Sequence, residues 1–272
     1  MYYKLLALDI DDTILNDEQK ITPRVKSAVQ KALSLGVYVV LCTGRTKKGA
    51  LRFYNELELD TLFAVSGGAQ IYNATGALLF QEYIDTSIVK ELLSFAYGKN
   101  IHAQVYIDGE LVFKERNAHA EKYERLYGFP GIEVPDIMRM QNINTPKVLF
   151  VVEEDKIAAV QEKTGKLFPR LKIVRSKPEY LEFVSPNVNK GSALEFIASY
   201  YDIKRERIIA IGDSQIDVPM IKYAGLGVAV KNAAPDVKKA ADYICASNTD
   251  EGAADVIEKY ILEDFNEIQA EN

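Results

Sequence analysis

The sequence predicts a protein of the α/β class, with a parallel sheet flanked by helices and an inserted α+β unit. Apolar strand-like runs alternate with amphipathic helical patterns at both ends of the chain, which is typical of βαβ units. The middle of the chain instead alternates apolar and polar residues around Asp108-Gly109, a strong hairpin signal. We therefore expect a core built from residues 1–81 and 187–272, and an insertion over 82–186.

The N-terminal elements follow from local patterns. Residues 3–9 contain an unbroken apolar run and are expected to form a short buried strand. Thr22 and Pro23 have the pattern of an N-cap followed by proline at the first helical position, and Gly36 is placed to end that helix. The β-branched and apolar run 37–42 predicts a strand covered on both faces. A helix over 46–57 and a strand over 62–65 complete this part.

The remaining elements continue both patterns. In the C-terminal third we expect a helix over 190–201, a strand over 207–213, a helix from 216, a strand over 225–230, a helix over 235–241, a strand over 242–245 and a helix over 252–263. Within the insertion we expect a hairpin over 102–114, a strand over 147–154, a helix over 155–167 and strands over 172–176 and 180–184.

Composition excludes several classes of function. The 272-residue chain has a net charge of −6 and a pI near 5.2, which argues against a protein that binds nucleic acid through a basic surface. Two cysteines and two histidines are too few for a disulfide framework, a zinc cluster or a histidine-rich metal site. Acidic residues within the first twelve positions do not fit the apolar region of a secretory signal peptide. No apolar run approaches the roughly 18 residues of a membrane span. These features predict a cytoplasmic protein.

Three carboxylates, Asp9, Asp11 and Asp12, follow the first predicted strand directly. Like charges a few Å apart repel by roughly 4 kcal/mol per pair at an effective dielectric near 20. Such a cluster at the end of a buried strand therefore calls for a bound cation or a fixed positive charge. The alternative without a functional role is a solvated acidic turn.

Other polar residues stand at the ends of predicted strands or at the start of a predicted helix. We expect these positions to lie at the same edge of the sheet. Thr43-Gly44-Arg45 follows the second strand, Gly212-Asp213 follows the apolar run at 208–211, and Lys190 opens a helix. Ligands bind beyond the carboxyl ends of the strands in open α/β sheets. Carboxylates for a cation, hydroxyl and amide donors for an anion, and one ammonium suit a phosphoryl group with Mg²⁺, which prefers few carboxylates and phosphate oxygens.

Four segments, "DIDDT", "CTGR", "NKGSAL" and "GDSQID", occur in this order along the chain. In order and spacing they resemble the four motifs of the haloacid-dehalogenase superfamily of phosphatases. The large insertion between the second and third motifs resembles the type IIB cap of its Cof-like branch. The resemblance implies a Rossmann-like core with a substrate-specificity cap over 82–186. It also implies a Mg²⁺-dependent phosphatase of small phosphorylated metabolites, in particular sugar phosphates.

The resemblance also implies roles for the acidic residues of the first motif. Asp9 would be the nucleophile that attacks phosphorus and forms an aspartyl-phosphate. Asp11 would protonate the leaving alkoxide and then activate water as the base. The backbone carbonyl of Asp11 would also ligate Mg²⁺.

The other three motifs would bind and neutralise the phosphoryl group. By the same resemblance, Thr43 and the amide of Gly44 would hold phosphate oxygens, and Lys190 would neutralise the nucleophile and the phosphate. Asp213 would ligate Mg²⁺ directly, and Asp217 would support the site. Phosphoryl transfer depends mainly on positioning and charge neutralisation, which agrees with this set of residues.

Two positions depart from the family pattern and keep other functions open. Ile216 stands where the family usually has Asn, and Gly67-Gly68-Ala69 replaces the usual Asn-Gly-Ala. The first change removes a polar contact to phosphate or the metal, and the second changes a contact on the substrate side. The alternatives to a phosphatase are a phosphomutase, which returns the phosphoryl group to another hydroxyl, and a catalytically weakened sensor of a phosphorylated ligand.

Overall fold

The computed structural model describes residues 3–263, so residues 1, 2 and 264–272 of the expected core lie outside the described part. The described residues form two compact units. The first unit comprises 3–45, 50–80 and 189–263, and the second comprises 46–49 and 81–188. That residues 82–186 act as a substrate-specificity cap stays a prediction.

The helices and strands have the following bounds. Before the insertion, the chain forms β1 (Leu5–Leu8), α1 (Pro23–Ser34), β2 (Tyr38–Leu41), α2 (Lys47–Glu56), β3 (Phe63–Val65), β4 (Gln70–Tyr72) and β5 (Leu78–Gln81). The insertion forms α3 (Thr86–Gly98), β6 (His102–Ile107), β7 (Glu110–Phe113), α4 (Ala118–Tyr127), β8 (Ile132–Glu133), β9 (Lys147–Val151), α5 (Ile157–Leu167), β10 (Lys172–Lys177) and β11 (Tyr180–Val184). The C-terminal part forms α6 (Lys190–Tyr200), β12 (Ile208–Gly212), α7 (Val218–Tyr223), β13 (Leu226–Ala229), α8 (Pro235–Ala240), β14 (Tyr243–Ile244) and α9 (Gly252–Ile257). None of the helices in 3–263 has the length and apolar character needed to cross a membrane.

The main sheet of the first unit is parallel, as the sequence predicts. Its strand order is β14-β13-β12-β1-β2, and each neighbouring pair of strands is parallel. The four residues of β1 are fully buried, and their side chains alternate between two hydrophobic clusters. Leu6 and Leu8 belong to one cluster, whereas Leu5 and Ala7 belong to the other. The unbroken apolar run is therefore explained by a strand with a core on each face.

Helix α1 begins as its sequence predicts. The side chain of Thr22 accepts a hydrogen bond from the backbone N–H of Val25, and Pro23 occupies the first helical position. The side chain thus satisfies one of the N–H groups that a helix start leaves without a partner. The helix ends at Ser34, and Gly36 follows with a φ of 77°.

The second unit contains a six-stranded sheet with the order β10-β11-β9-β6-β7-β8. Neighbouring strands pair antiparallel except for β7 and β8, which are parallel. Asp108 and Gly109 connect β6 to β7 with φ angles of 52° and 83°, which a tight hairpin turn between twisted strands requires. Buried residues of α3 and α5 pack with residues of β6, β9 and β11 in one hydrophobic cluster.

The structure differs from the sequence-based expectation in several places, and α3, α4 and β8 of the insertion are not predicted from the sequence. The short strands β3, β4 and β5 form a separate three-stranded sheet, whereas only the first of them was expected. Helix α7 begins at Val218 and not at 216, because the side chain of Asp217 organises the preceding turn. One carboxylate oxygen of Asp217 accepts hydrogen bonds from the backbone N–H groups of Asp213 and Ser214.

Candidate active site

The carboxyl ends of three neighbouring strands carry most of the expected site residues. Asp9 directly follows β1, Asp213 directly follows β12, and Thr43 lies two residues beyond β2. The sheet hydrogen bonding continues past the strand ends, since the N–H of Asp9 donates to the carbonyl oxygen of Ile211 at 3.1 Å. Because the strands are parallel, these residues lie along one edge of the sheet.

The ammonium group of Lys190 lies between two buried carboxylates. Its Nζ donates to Oδ1 of Asp9 at 2.5 Å and to Oδ1 of Asp217. The side chains of Lys190 and Asp217 are fully buried, and that of Asp9 is 5% exposed. Burial lowers the pKa of Lys190, but the negative charges of Asp217 and Asp9 outweigh that effect and raise it. Lys190 is therefore a permanently charged, fixed cation at the end of β1.

Two local features hold Lys190 in this position. It is the first residue of α6, and the side chain of Asn189 caps the helix by accepting from the N–H of Ser192 at 2.9 Å. The loop after β3 then packs closely on the cap, since a Cβ on Gly68 would lie 2.4 Å from the carbonyl oxygen of Asn189. Gly68 also has a φ of 99°, so this position needs glycine for two reasons. The Gly67-Gly68 pair thus helps to place the start of α6.

Asp217 has both carboxylate oxygens occupied. Its Oδ2 accepts from the N–H of Asp213 at 3.1 Å, and from the N–H and the hydroxyl of Ser214 at 2.9 and 2.8 Å. Its Oδ1 accepts from Lys190. This set of donors leaves Asp217 suited to hold its neighbours in place, which is the supporting role expected from the sequence.

Asp9 and Asp213 are less well compensated than Asp217. Burial, and then repulsion from Asp217, raise the pKa of Asp9 well above its usual value, although Lys190 acts in the opposite direction. Burial and Asp217 likewise raise the pKa of Asp213 to about 7, against the lowering effects of Lys190 and of a 3.1 Å hydrogen bond from the Thr13 hydroxyl. At both residues, burial and the charge of Asp217 therefore outweigh the compensating charge of Lys190.

The same carboxylates fit a divalent cation. Oxygens of Asp9, Asp213 and Asp217 lie within 4.8 Å of one another. Since Asp217 is fully engaged by its donors, Asp9 and Asp213 are the two carboxylates that remain for a metal. Two carboxylates and open positions for water and phosphate oxygens match the preference of a small hard cation.

The Thr43-Gly44 turn is held by backbone contacts and covered by an apolar side chain. The hydroxyl of Thr43 accepts from the N–H of Arg45 at 3.1 Å, and the carbonyl of Thr43 accepts from the N–H of Gly67 at 2.9 Å. A Cβ on Gly44 would lie 3.1 Å from Cδ1 of Ile216. Ile216 therefore packs directly on the turn that the sequence assigns to phosphate binding.

The structure joins some of the expected residues directly and adds others. Asp9, Lys190, Asp217 and Asp213 form one connected group, whereas Asp11 makes an ion pair with Arg45. Thr13 and Asn189 are not among the site residues predicted from the sequence, and Arg45 is predicted only as part of the polar segment after the second strand, without a role. Each of them lies within one of the four recognised segments, so their presence was visible, but their partners were not.

Comparison with known proteins gives one consistent family. The sequence model of the haloacid dehalogenase-like hydrolases matches residues 6–257. A Bacillus subtilis protein named 5-amino-6-(5-phospho-D-ribitylamino)uracil phosphatase YcsE is 30% identical over 260 residues, covering 95% of this chain and 96% of its own length. The crystal structure of a haloacid dehalogenase-like hydrolase from Bacteroides thetaiotaomicron, 30% identical, matches with a TM-score of 0.87 over 94% of this chain and 99% of that one. A structure described as the HAD subclass IIB sugar phosphatase BT4131 has the same fold, with a TM-score of 0.82 at 20% identity over 94% of this chain and 98% of that one.

Replacing Lys190 with methionine is expected to destabilise the protein by about 3–5 kcal/mol, because two buried carboxylates lose their counter-charge. Urea unfolding curves at two pH values measure the effect. Without the ammonium, the folded carboxyls have pKa values above those of the unfolded chain, so lowering the pH relieves the deficit. Lys166→Met, which removes an exposed i,i+4 partner of Glu162, is the control and is expected to cost little. A Lys190→Met protein as stable as the wild type would contradict this account of the site.

Proposed function

The chain belongs to the haloacid dehalogenase-like hydrolases and is a phosphatase, and on this premise we propose that it hydrolyses small phosphomonoesters through an aspartyl-phosphate on Asp9. The contact between Lys190 and a buried oxygen of Asp9 is the observation that carries this proposal. It supports a carboxylate that is fixed in orientation and kept next to a positive charge at the edge of the sheet. The cytoplasm remains the expected location.

Sugar phosphates and related phosphorylated metabolites are the proposed substrates. The support comes from similar proteins, which include one named as a phosphatase of a phosphoribitylamino-uracil and one described as a sugar phosphatase. We further propose that residues 82–186 select the leaving group, since the roles proposed for the core residues concern only the phosphoryl group and its transfer. Turnover of a panel of phosphorylated metabolites would identify the substrate.

In the first step, an oxygen of Asp9 forms a bond to phosphorus while the bond from phosphorus to the leaving oxygen breaks. Lys190 offsets the negative charge of Asp9 and of the phosphoryl group, so that the two can approach. The hydroxyl of Thr43 and the N–H of Gly44 would donate to the phosphoryl oxygens. Asp11 would act as the general acid and give a proton to the leaving oxygen.

In the second step, water attacks phosphorus and the bond between phosphorus and Asp9 breaks. Asp11, now ionised, takes the proton of the attacking water, which returns both carboxyl groups to their starting states. Asp217 keeps Lys190 and the 213–214 turn in place throughout, because it bonds to both.

Mg²⁺ is the proposed cofactor, with Asp9, Asp213 and the backbone carbonyl of Asp11 as its protein ligands. When bound, it would supply positive charge that Lys190 alone does not provide and would stabilise charge on the phosphoryl oxygens. The grouping of oxygens of Asp9 and Asp213 with one of Asp217, all within 4.8 Å of one another, supports this assignment.

Substitution of the two aspartates separates their roles. Asp9→Asn removes the nucleophile, so no substrate is expected to be hydrolysed. Asp11→Asn keeps the nucleophile, and 4-nitrophenyl phosphate has a leaving group that needs little acid. We therefore expect the first step to proceed in Asp11→Asn and the second to lag.

Intact-protein mass spectrometry after mixing with 4-nitrophenyl phosphate and Mg²⁺ measures this difference. One added phosphoryl group is expected on Asp11→Asn and none on Asp9→Asn or on the double variant. Peptide mapping should locate the group on the segment that contains Asp9. A phosphoryl adduct that persists in Asp9→Asn would contradict the proposed mechanism.

Mg²⁺ is expected to stabilise the protein more at pH 8 than at pH 6. The pKa of Asp213 is raised to about 7 in the fold, whereas an unfolded aspartate titrates near roughly 4. Stability of the metal-free protein from this group is therefore present at low pH and lost as the pH rises through about 7. Mg²⁺ binding needs the ionised carboxylate and gains most above that pH.

Thermal unfolding with and without Mg²⁺, at both pH values, tests this expectation. Asp213→Asn should show a smaller Mg²⁺ effect than the wild type at both pH values. Asp242→Asn, which changes an aspartate that bonds to the backbone of Gly227, provides the control. An undiminished effect in Asp213→Asn would remove this residue from the metal site.

Ile216 tests the sensor alternative, which its apolar contact with Gly44 favours. If Ile216 only marks a lost polar contact, Ile216→Asn is expected to raise kcat/KM. The gain in transition-state stabilisation should not exceed that of a hydrogen bond to a charged group, roughly 1.5–3 kcal/mol. Steady-state kinetics on the variant and the wild type provide the measurement. Binding of a phosphorylated ligand by the wild type without turnover, together with turnover by Ile216→Asn, would favour the sensor.

A further inference from the structure

Arg45 holds the carboxylate of Asp11 by a two-point contact. Its Nε donates to Oδ2 of Asp11 at 2.9 Å, and its Nη2 donates to Oδ1 at 2.6 Å. Two parallel hydrogen bonds from a planar guanidinium fix both the position and the plane of a carboxylate. The pair connects residues 34 positions apart, so it is a tertiary contact and not a local turn.

The guanidinium of Arg45 is itself immobilised. Its side chain is 7% exposed, its Cζ lies 4.8 Å from the centroid of the Phe53 ring, and its Nη2 also donates to the side chain of Gln19 at 3.4 Å. The backbone of Arg45 is held as well, since its carbonyl accepts from the N–H of Ser66 at 2.7 Å. The side chain of Asp11, by contrast, is 42% exposed.

We propose that Arg45 is a positioning residue for Asp11, so that the orientation of the proton-transferring carboxyl comes from the guanidinium and not from its own surroundings. This role rests on the proposed function, in which Asp11 protonates the leaving oxygen and later takes a proton from water. Each carboxylate oxygen has a second lone pair that the two contacts with Arg45 leave available for that exchange. The side chain thereby combines exposure to the reacting groups with a fixed direction.

The rival role for Arg45 is direct contact with the substrate. The two roles differ in how its removal depends on the leaving group. If Arg45 acts through Asp11, its loss should slow esters whose leaving oxygen needs a proton and spare the phosphorylation step with a good leaving group. If it binds the phosphoryl group, both kinds of ester should suffer alike.

Arg45→Met provides the test, with glycerol 2-phosphate and 4-nitrophenyl phosphate as the two substrates. A displacement of a catalytic group by about 1 Å costs on the order of 10²-fold, so we expect a loss of this order in kcat for glycerol 2-phosphate. The rate of the initial nitrophenolate burst and the KM for that ester should change little. Arg45→Lys keeps the positive charge but cannot form the two parallel hydrogen bonds of the guanidinium, and it should recover part of the loss. If Arg45→Met does not fold, Arg45→Lys provides the test.

Arg52→Met is the matched control. Arg52 also stacks on Phe53, with its Cζ 4.2 Å from the ring centroid, and it also reaches Gln19, through the backbone carbonyl at 3.2 Å. It is exposed and lies outside the proposed catalytic group, so its loss should leave both substrates unaffected. An equal effect of Arg52→Met would show that disturbance of the Phe53 surface, and not the position of Asp11, explains the loss.

A double-variant cycle gives the decisive result. In the Asp11→Asn background, adding Arg45→Met is expected to cost no further activity, because the group that Arg45 positions is already absent. Additive losses would overturn the positioning role while leaving the proposed function intact. A wild-type protein that hydrolyses neither ester would overturn the proposed function itself and this role with it.

Discussion

The buried ammonium of Lys190 between the carboxylates of Asp9 and Asp217 is the interaction on which the rest of the site depends. Withdrawing several charges from water is costly unless they pair with good geometry and further hydrogen bonds. Asp217 meets that condition through Lys190 and three donors of the 213–214 turn. Asp9 meets it less well. Two carboxylates against one ammonium leave one negative charge, and Asp213 adds a second, which is the charge that a divalent cation would balance.

The fold brings these groups together through contacts that are far apart in sequence. The parallel order of β12, β1 and β2 sets Asp213, Asp9 and Thr43 along one sheet edge. The start of α6 then inserts Lys190 beside Asp9, and the close approach of Gly68 to the carbonyl of Asn189 limits where that helix can begin. A small residue in the loop after β3 therefore contributes to the electrostatics of the site although it carries no charge.

Much of this arrangement could be predicted from the sequence, and the remainder depends on tertiary contacts. The unbroken run in β1 and the Thr22-Pro23 cap are local signals, and both are confirmed. The start of α7 was placed two residues too early, because Asp217 bonds backward to the 213–214 turn and the helical pattern does not show this. Arg45 lies within a recognised motif, yet its partner Asp11 is 34 residues away and no periodicity connects them. The β3-β4-β5 sheet was incompletely predicted, since strands of three or four residues give little alternation.

The central claim is that the carboxylate of Asp9, fixed by Lys190, accepts the phosphoryl group. A crystal structure of the protein with Mg²⁺ and beryllofluoride, which imitates a phosphoryl group bound to a carboxylate, tests it most directly. The account predicts beryllium bonded to an oxygen of Asp9, fluorine atoms within hydrogen-bond distance of Lys190, Thr43 and the N–H of Gly44, and the metal beside Asp213. Beryllofluoride bonded to a different carboxylate, with Asp9 still engaged only by Lys190, would contradict it.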